Sequence, residues 1–204
     1  MSGTSSAVNI SSAPASKPLV HIIEADQAPL LAKAFFGGGD PGPITATMAH
    51  VPELVEVALP FLGTILSPTN INFRTKEIVI LRTSALLACR YCVDSHTTVA
   101  LDAGLTAEEA HTLRNETSSI PEVFSVQREQ ALIAWIDAVA TGTGRVAPAT
   151  RGEMGKLFAE HEIVELTVLI GATMLLNRYA SALELPVGAD TITRLAAEGF
   201  ERFP

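Results

Sequence analysis

The chain has 204 residues and a formal net charge of −8, with 14 Lys and Arg set against 22 Asp and Glu. A length of this order holds one domain or one compact pair of repeats, and an acidic balance with its basic residues scattered singly argues against nucleic acid as a partner. Apolar residues reach 48% and charged residues only 18%, a surplus that buried subunit interfaces would absorb; the longest apolar run, Leu166 to Leu176, contains Thr167 and Thr173 and falls short of the roughly 18 residues of a membrane span.

Residues 1–18, MSGTSSAVNISSAPASKP, are rich in Ser, Ala and Pro and lack the apolar core of ~7 to 15 residues that a signal peptide requires. They read as a disordered arm, and residues 19–204 as one helical domain of a cytoplasmic protein. A short helix is expected over Gln27 to Phe36. The stretch Gly37-Gly38-Gly39-Asp40-Pro41-Gly42-Pro43 cannot hold regular structure, because glycine is too free and proline removes a donor and fixes φ.

From Thr47 onward Val51, Leu54, Val55, Ala58, Leu59, Leu62 and Ile65 trace one helical face, which Pro60 is expected to kink or divide. The next helix spans about Arg74 to Leu87, with Ile78, Leu81 and Ala85 on its apolar side. Ala88 to His96 then leads into a helix ending near Ala103, where Gly104 supplies a left-handed cap. Thr106 opens another helix, because Glu109 three residues on completes a reciprocal capping box. Pro121 and Ser125 introduce a helix over about Val126 to Ala140, followed by helices near Thr150 to Phe158, Glu162 to Leu183 and Ala189 to Glu198. No stretch alternates with period two between hairpin turns, so the fold class is all-α. The triplet Glu77-Ile78-Val79 returns as Glu162-Ile163-Val164, and at the same offset Cys92 corresponds to Asn177.

Chemistry concentrates in Glu77, Cys89, Cys92 and His96. Residues three and four apart share a helix face, so the cysteines and His96 can line one edge. An imidazole or a helix N-terminus lowers a thiol from its ordinary value near 8.5, and a second cysteine one turn away can close a sulfenic acid into a disulfide. The same spacing admits a zinc site, although His21, His50, His111 and His161 stand at no ligand spacing that would complete four ligands. It also admits a structural disulfide, whose small loop would remove little entropy from the unfolded chain. A thioredoxin-type site would place the pair after a strand in a βαβ unit, whereas an apolar helix precedes it here.

The stretch from Leu66-Ser67-Pro68 through Arg74-Thr75-Lys76-Glu77-Ile78-Val79-Ile80-Leu81-Arg82 to Cys89-Arg90-Tyr91-Cys92-Val93-Asp94-Ser95-His96 resembles the carboxymuconolactone decarboxylase and alkyl hydroperoxidase D superfamily. The hydroperoxidase branch carries a Glu twelve residues before a CxxC and a His four residues after the second Cys, as this chain does. Glu162 to Pro186, with Asn177-Arg178-Tyr179-Ala180, resembles the family's second helical repeat. The resemblance implies an all-helical bundle of two related repeats, alkyl hydroperoxidase D-like, assembled as a homo-trimer or homo-hexamer and working without a cofactor or metal. It implies reduction of organic hydroperoxides or hydrogen peroxide, with Cys92 peroxidatic, Cys89 resolving, His96 the base and Glu77 the relay carboxylate. An external dithiol or lipoyl-type reductant would then reopen the disulfide. Tyr91 stands where well-known members have a histidine, and a phenol donates a hydrogen bond at neutral pH but is no base. Two other readings of the same residues are a metal-binding helical protein and a decarboxylase or lactonase-type enzyme in which Arg74, Arg82 or Arg178 holds a substrate carboxylate.

Overall fold

The computed structural model describes residues 17–115 and 120–204; all but the last two positions of the expected N-terminal arm lie outside the described residues. The described chain is helical and contains no strand. Its α-helices are α1 (Pro43–Met48), α2 (Pro52–Leu66), α3 (Phe73–Leu86), α4 (Arg90–Asp102), α5 (Ala107–Arg114), α6 (Ile120–Val123), α7 (Gln127–Ala140), α8 (Pro148–Leu157), α9 (Glu160–Ala182) and α10 (Ala189–Ala197).

Helix α3 is the hub, packed against α4, α5, α7 and α9. It begins where the Asn72 side chain accepts the Thr75 amide at 2.8 Å, a capping bond that satisfies one of the four orphan N–H groups of a helix start. Every residue from Lys76 to Ser84 is buried, so this helix has no solvent face on which to park its polar side chains. Burial of a charge is tolerable only when it is paired, and the pairs are present. Lys76 donates from Nζ to the Ile65 carbonyl at 2.8 Å and meets Glu165 on α9 at 2.7 Å. Arg82 grips Asp137 on α7 through two parallel bonds of 2.7 and 3.0 Å, the bidentate geometry that guanidinium favours.

Long α9 supplies the opposite wall. Its 23 residues reach a mean hydropathy of 1.3 over an 18-residue window, the length and composition of a membrane span. Leu166, Leu169, Ile170, Thr173, Leu176 and Asn177 are buried where α9 meets its helical neighbours, as befits the central helix of a core. A second stripe, Val164, Val168 and Leu175, stays exposed.

Several boundaries follow the sequence directly. The Thr106–Glu109 capping box forms in both directions, at 3.1 and 2.7 Å, and Gly104 takes φ +92° after α4. Others differ. Instead of one helix over Gln27 to Phe36 there are two 3-10 turns, Ala25–Gln27 and Lys33–Phe36, because Pro29 falls between them and cannot donate to a continuing ladder. Pro60 does not divide α2. It lies on the exposed side, where water can satisfy the carbonyl that loses its donor. Helix α7, expected over about Val126 to Ala140, spans Gln127–Ala140 and starts behind Val126 without a side-chain bond.

The end of α3 bears directly on the site. Ala88 sits at φ +51°, the Ala88 amide returns to the Ala85 carbonyl, and the Cys89 amide returns to the Ser84 carbonyl at 3.0 Å. These two bonds are a Schellman closure with an alanine in the left-handed position usually held by glycine. The end of α9 repeats it, with Glu184 at φ +53° and the Leu185 amide on the Ala180 carbonyl.

Candidate functional site

The α3 closure delivers Cys89 to the N-cap of α4, where its sulfur accepts the Cys92 amide at 3.3 Å. The sequence expectation that Cys89 shares a helix edge with Cys92 and His96 therefore needs correction: Cys89 is the cap and the other two lie within the helix. The two cysteines are joined as a disulfide with a Cα–Cα distance of 5.3 Å. Cys89 is fully buried and Cys92 is 4% exposed. Around them pack Ala180 and Leu185, with Ile44, Tyr91, Tyr179 and Leu183 at the margin. At a helix start, the backbone N–H groups and the macrodipole favour negative charge on a sulfur.

Glu77 and His96 come together from α3 and α4. Glu77 Oε2 lies 3.0 Å from His96 Nδ1, with the carboxylate buried and the imidazole side chain 29% exposed. An ionised carboxylate only accepts, so Nδ1 is the donor to it, and in the neutral imidazole Nε2 is then the nitrogen with the lone pair. Tyr91, beside Cys92 in the first turn of α4, has its phenol pushed above the ordinary value, first by burial and with the charge of Asp40 adding to it, against a hydrogen bond with Ser95. It stays protonated at neutral pH.

The structure joins Cys89 to Cys92 at the start of α4 and, separately, Glu77 to His96 across the α3–α4 contact, with His96 one turn after Cys92 on α4. Arg74 and Arg82 are elsewhere and occupied: Arg74 holds Glu109, Glu129 and the Gly104 carbonyl, and Arg82 holds Asp137 and the Asn115 carbonyl. Arg178 is exposed. Among the described residues, no three His, Cys, Asp or Glu side chains converge as a metal would require.

Sequence reasoning missed the support around the pair. Ser84 accepts the Asn177 amide across the α3–α9 contact at 3.0 Å, and Tyr179 shares a 2.9 Å bond with Thr47 on α1. A signal for Ser84 existed, since it lies seven residues after Glu77 and so on the same helix face. Ile44 and Leu185 had none, because tertiary packing alone brings them to the cysteines.

Residues 52–123 match the model of the carboxymuconolactone decarboxylase family. No curated protein matches the chain. Among solved structures, the chain is similar to the alkylhydroperoxidase AhpD core of a peroxidase-related protein from Ralstonia eutropha JMP134, with a TM-score of 0.74 and 15% identity over 88% of this chain and 96% of that one. A peroxidase-related protein from Silicibacter sp. TM1040 gives a TM-score of 0.74 at 15% identity, covering 89% and 97%. The debrominase Bmp8 in complex with 2,3,4-tribromopyrrole gives 0.71 at 17%, covering 89% and 100%. Identities this low establish a shared fold. Residues 52–123, which carry Glu77, Cys89, Cys92 and His96, match the carboxymuconolactone decarboxylase family model, and the chain has the helical fold of the AhpD-like proteins.

Proposed function

We propose that the chain is a thiol-dependent peroxidase that cycles the Cys89–Cys92 pair between dithiol and disulfide. The observation that carries this reading is the placement of that pair at the start of α4, one turn before His96, whose partly open imidazole is bonded to the buried Glu77. In the reduced protein, His96 Nε2 takes the Cys92 proton and Glu77 holds the resulting imidazolium. The Cys92 thiolate attacks the terminal peroxide oxygen; the O–O bond breaks, and the alkoxide leaves as alcohol with the proton returned by His96. Cys92 is now a sulfenic acid. Cys89 attacks it, the S–S bond forms and water leaves. An external dithiol of lipoyl type then reduces the disulfide by exchange through a mixed disulfide. Tyr91 contributes a hydrogen bond to the leaving oxygen and no proton abstraction.

Residues 19–204 act as one domain in this reading, and its assembly is homo-oligomeric. Leu54, Val57 and Phe61 on α2 and Val164, Val168 and Leu175 on α9 are exposed. Helices α2 and α9 pack together, and apolar faces of this kind favour a subunit contact.

The test is the thiol count and intact mass of the reduced protein before and after one equivalent of an organic hydroperoxide. The expected result is loss of both thiols to an intramolecular disulfide, faster than in denatured protein. Cys92→Ser abolishes consumption, and Cys89→Ser stops after one sulfenic acid per chain. Full turnover by Cys92→Ser would remove the assignment.

The apolar wall of Ile44, Tyr179, Leu183 and Leu185 favours a second acceptor, a halogenated aromatic ring of the kind named for the debrominase. There the dithiol supplies two electrons and two protons: the ring gains one hydrogen, and halide leaves with the other proton released to solvent as the disulfide forms. Halide release from a bromopyrrole distinguishes the two.

A further inference from the structure

Asn177 is a buried polar residue beside the cysteine cluster that the proposed reaction leaves unused. It lies on α9 with 1% exposure, and its Nδ2 donates to Ser84 Oγ at 3.0 Å. Its Oδ1 is buried without a partner. A buried carbonyl oxygen left unpaired is costly and rare in native proteins. The residue its amide binds, Ser84, leads to the redox pair. The Ser84 carbonyl accepts the Cys89 amide, and the Cys89 sulfur accepts the Cys92 amide. Ala180, one turn after Asn177 on the same helix, shares a cluster with both cysteines.

The disulfide offers this oxygen nothing, because neither sulfur bears a proton. Two-electron reduction by the external dithiol breaks the S–S bond, delivers two protons and creates two S–H donors. We propose that Asn177 is a positioning residue for the redox pair, its Oδ1 accepting a thiol proton that exists only in the reduced protein, so that Asn177 biases the equilibrium toward dithiol. This inference rests on the redox reading of the pair. It goes beyond that reading by assigning the α9 wall a part in setting the potential.

The experiment equilibrates the full chain with graded glutathione or dithiothreitol buffers, quenches by alkylation and reads the oxidised fraction by mass. For Asn177→Leu, similar in size and without polar atoms, the expected result is a shift toward disulfide of roughly five-fold, the size of one modest hydrogen bond. That is about 20 mV more negative on the two-electron scale. The melting temperature of the reduced form should fall more than that of the oxidised form. An equilibrium within two-fold of wild type, with both forms losing equal stability, would make Asn177 a brace and overturn the proposal.

Should Asn177→Leu not fold, Ser84→Ala is the second variant: it frees the amide, and a smaller shift in the same direction is expected. The reduced wild type gives an independent reading. Its infrared S–H stretch is expected at the lowered frequency of a hydrogen-bonded thiol, and two bands at the free-thiol position would overturn the proposal without any variant. None of these measurements uses peroxide. A wild type that titrates reversibly yet leaves hydroperoxide untouched removes the peroxidase reading while leaving this one intact.

Discussion

Glu77 and His96 meet across the α3–α4 contact at 3.0 Å, the carboxylate buried and the imidazole at the protein surface. A carboxylate in that position fixes the tautomer and stabilises the imidazolium. Glu77→Gln is therefore expected to lower the rate of thiol oxidation by hydroperoxide about 100-fold while leaving the cysteine pair in place. His96→Asn should cost a similar amount, and the double variant little more, since groups acting as one unit are not additive. Stopped-flow oxidation of the four proteins checks this; losses that multiply would show that the two residues act separately.

Lys76 makes a second test, of stability. Its ammonium is fully buried among the Ile65 and Ser67 carbonyls and Glu165. Removing one partner of such a pair costs about 3–5 kcal/mol because the other is stranded. Lys76→Met is expected near the lower end, since Glu165 keeps some solvent contact, and Lys76→Met with Glu165→Leu should recover a good part of it. Urea denaturation of the three proteins measures both numbers.

Acid should weaken the fold through three carboxylates. Burial works to raise Glu109 and Glu165, but Arg74 and Thr106 outweigh it at Glu109, and Lys76 and Thr69 at Glu165, so both lie below the ordinary value of 4.5. Glu162 is also lowered, chiefly by accepting the Ala159 amide and further by Arg128. Groups depressed in the folded state contribute stability that is present above their unfolded value and lost as pH falls through the folded one. The melting temperature is thus expected to hold from pH 7 to about 5 and to decline below about 4.5. Glu109→Gln should flatten part of that decline.

Ala88→Gly should stabilise the chain by about 1 kcal/mol, because the left-handed conformation costs an L-residue roughly that much and glycine nothing. Glu184→Gly, at the matching turn of α9, should gain the same. Thermal melting of the pair of variants compares the turn that leads into Cys89 with the α9 turn whose Leu183 and Leu185 pack against the cysteine pair. A gain at Glu184 alone would mean that the disulfide loop already fixes Ala88.

Local rules made much of this fold legible. Thr106 with Glu109, Gly104 after α4 and the spacing of Glu77, Cys89, Cys92 and His96 each act within a few turns of chain, so their residues suffice to read them. The rest depends on partners distant in sequence. Pro60 is tolerated because of which side of α2 faces water, and that side is set by α9. Glu77 is buried because α3 is surrounded by four helices; its twin in the repeated triplet, Glu162, instead caps its own helix at Ala159. Asn177 could be paired with Cys92 by offset, but its bond to Ser84 exists only once α3 and α9 pack.

The junction at Cys89 couples two helices to one bond. Its amide completes the terminal turn of α3, while its sulfur opens the first turn of α4 by holding the Cys92 amide. The same residue therefore ends one helix, opens the next and closes a covalent loop with it, so the start of α4 is tied to the bonding of a single sulfur, and His96 lies on the following turn of that helix.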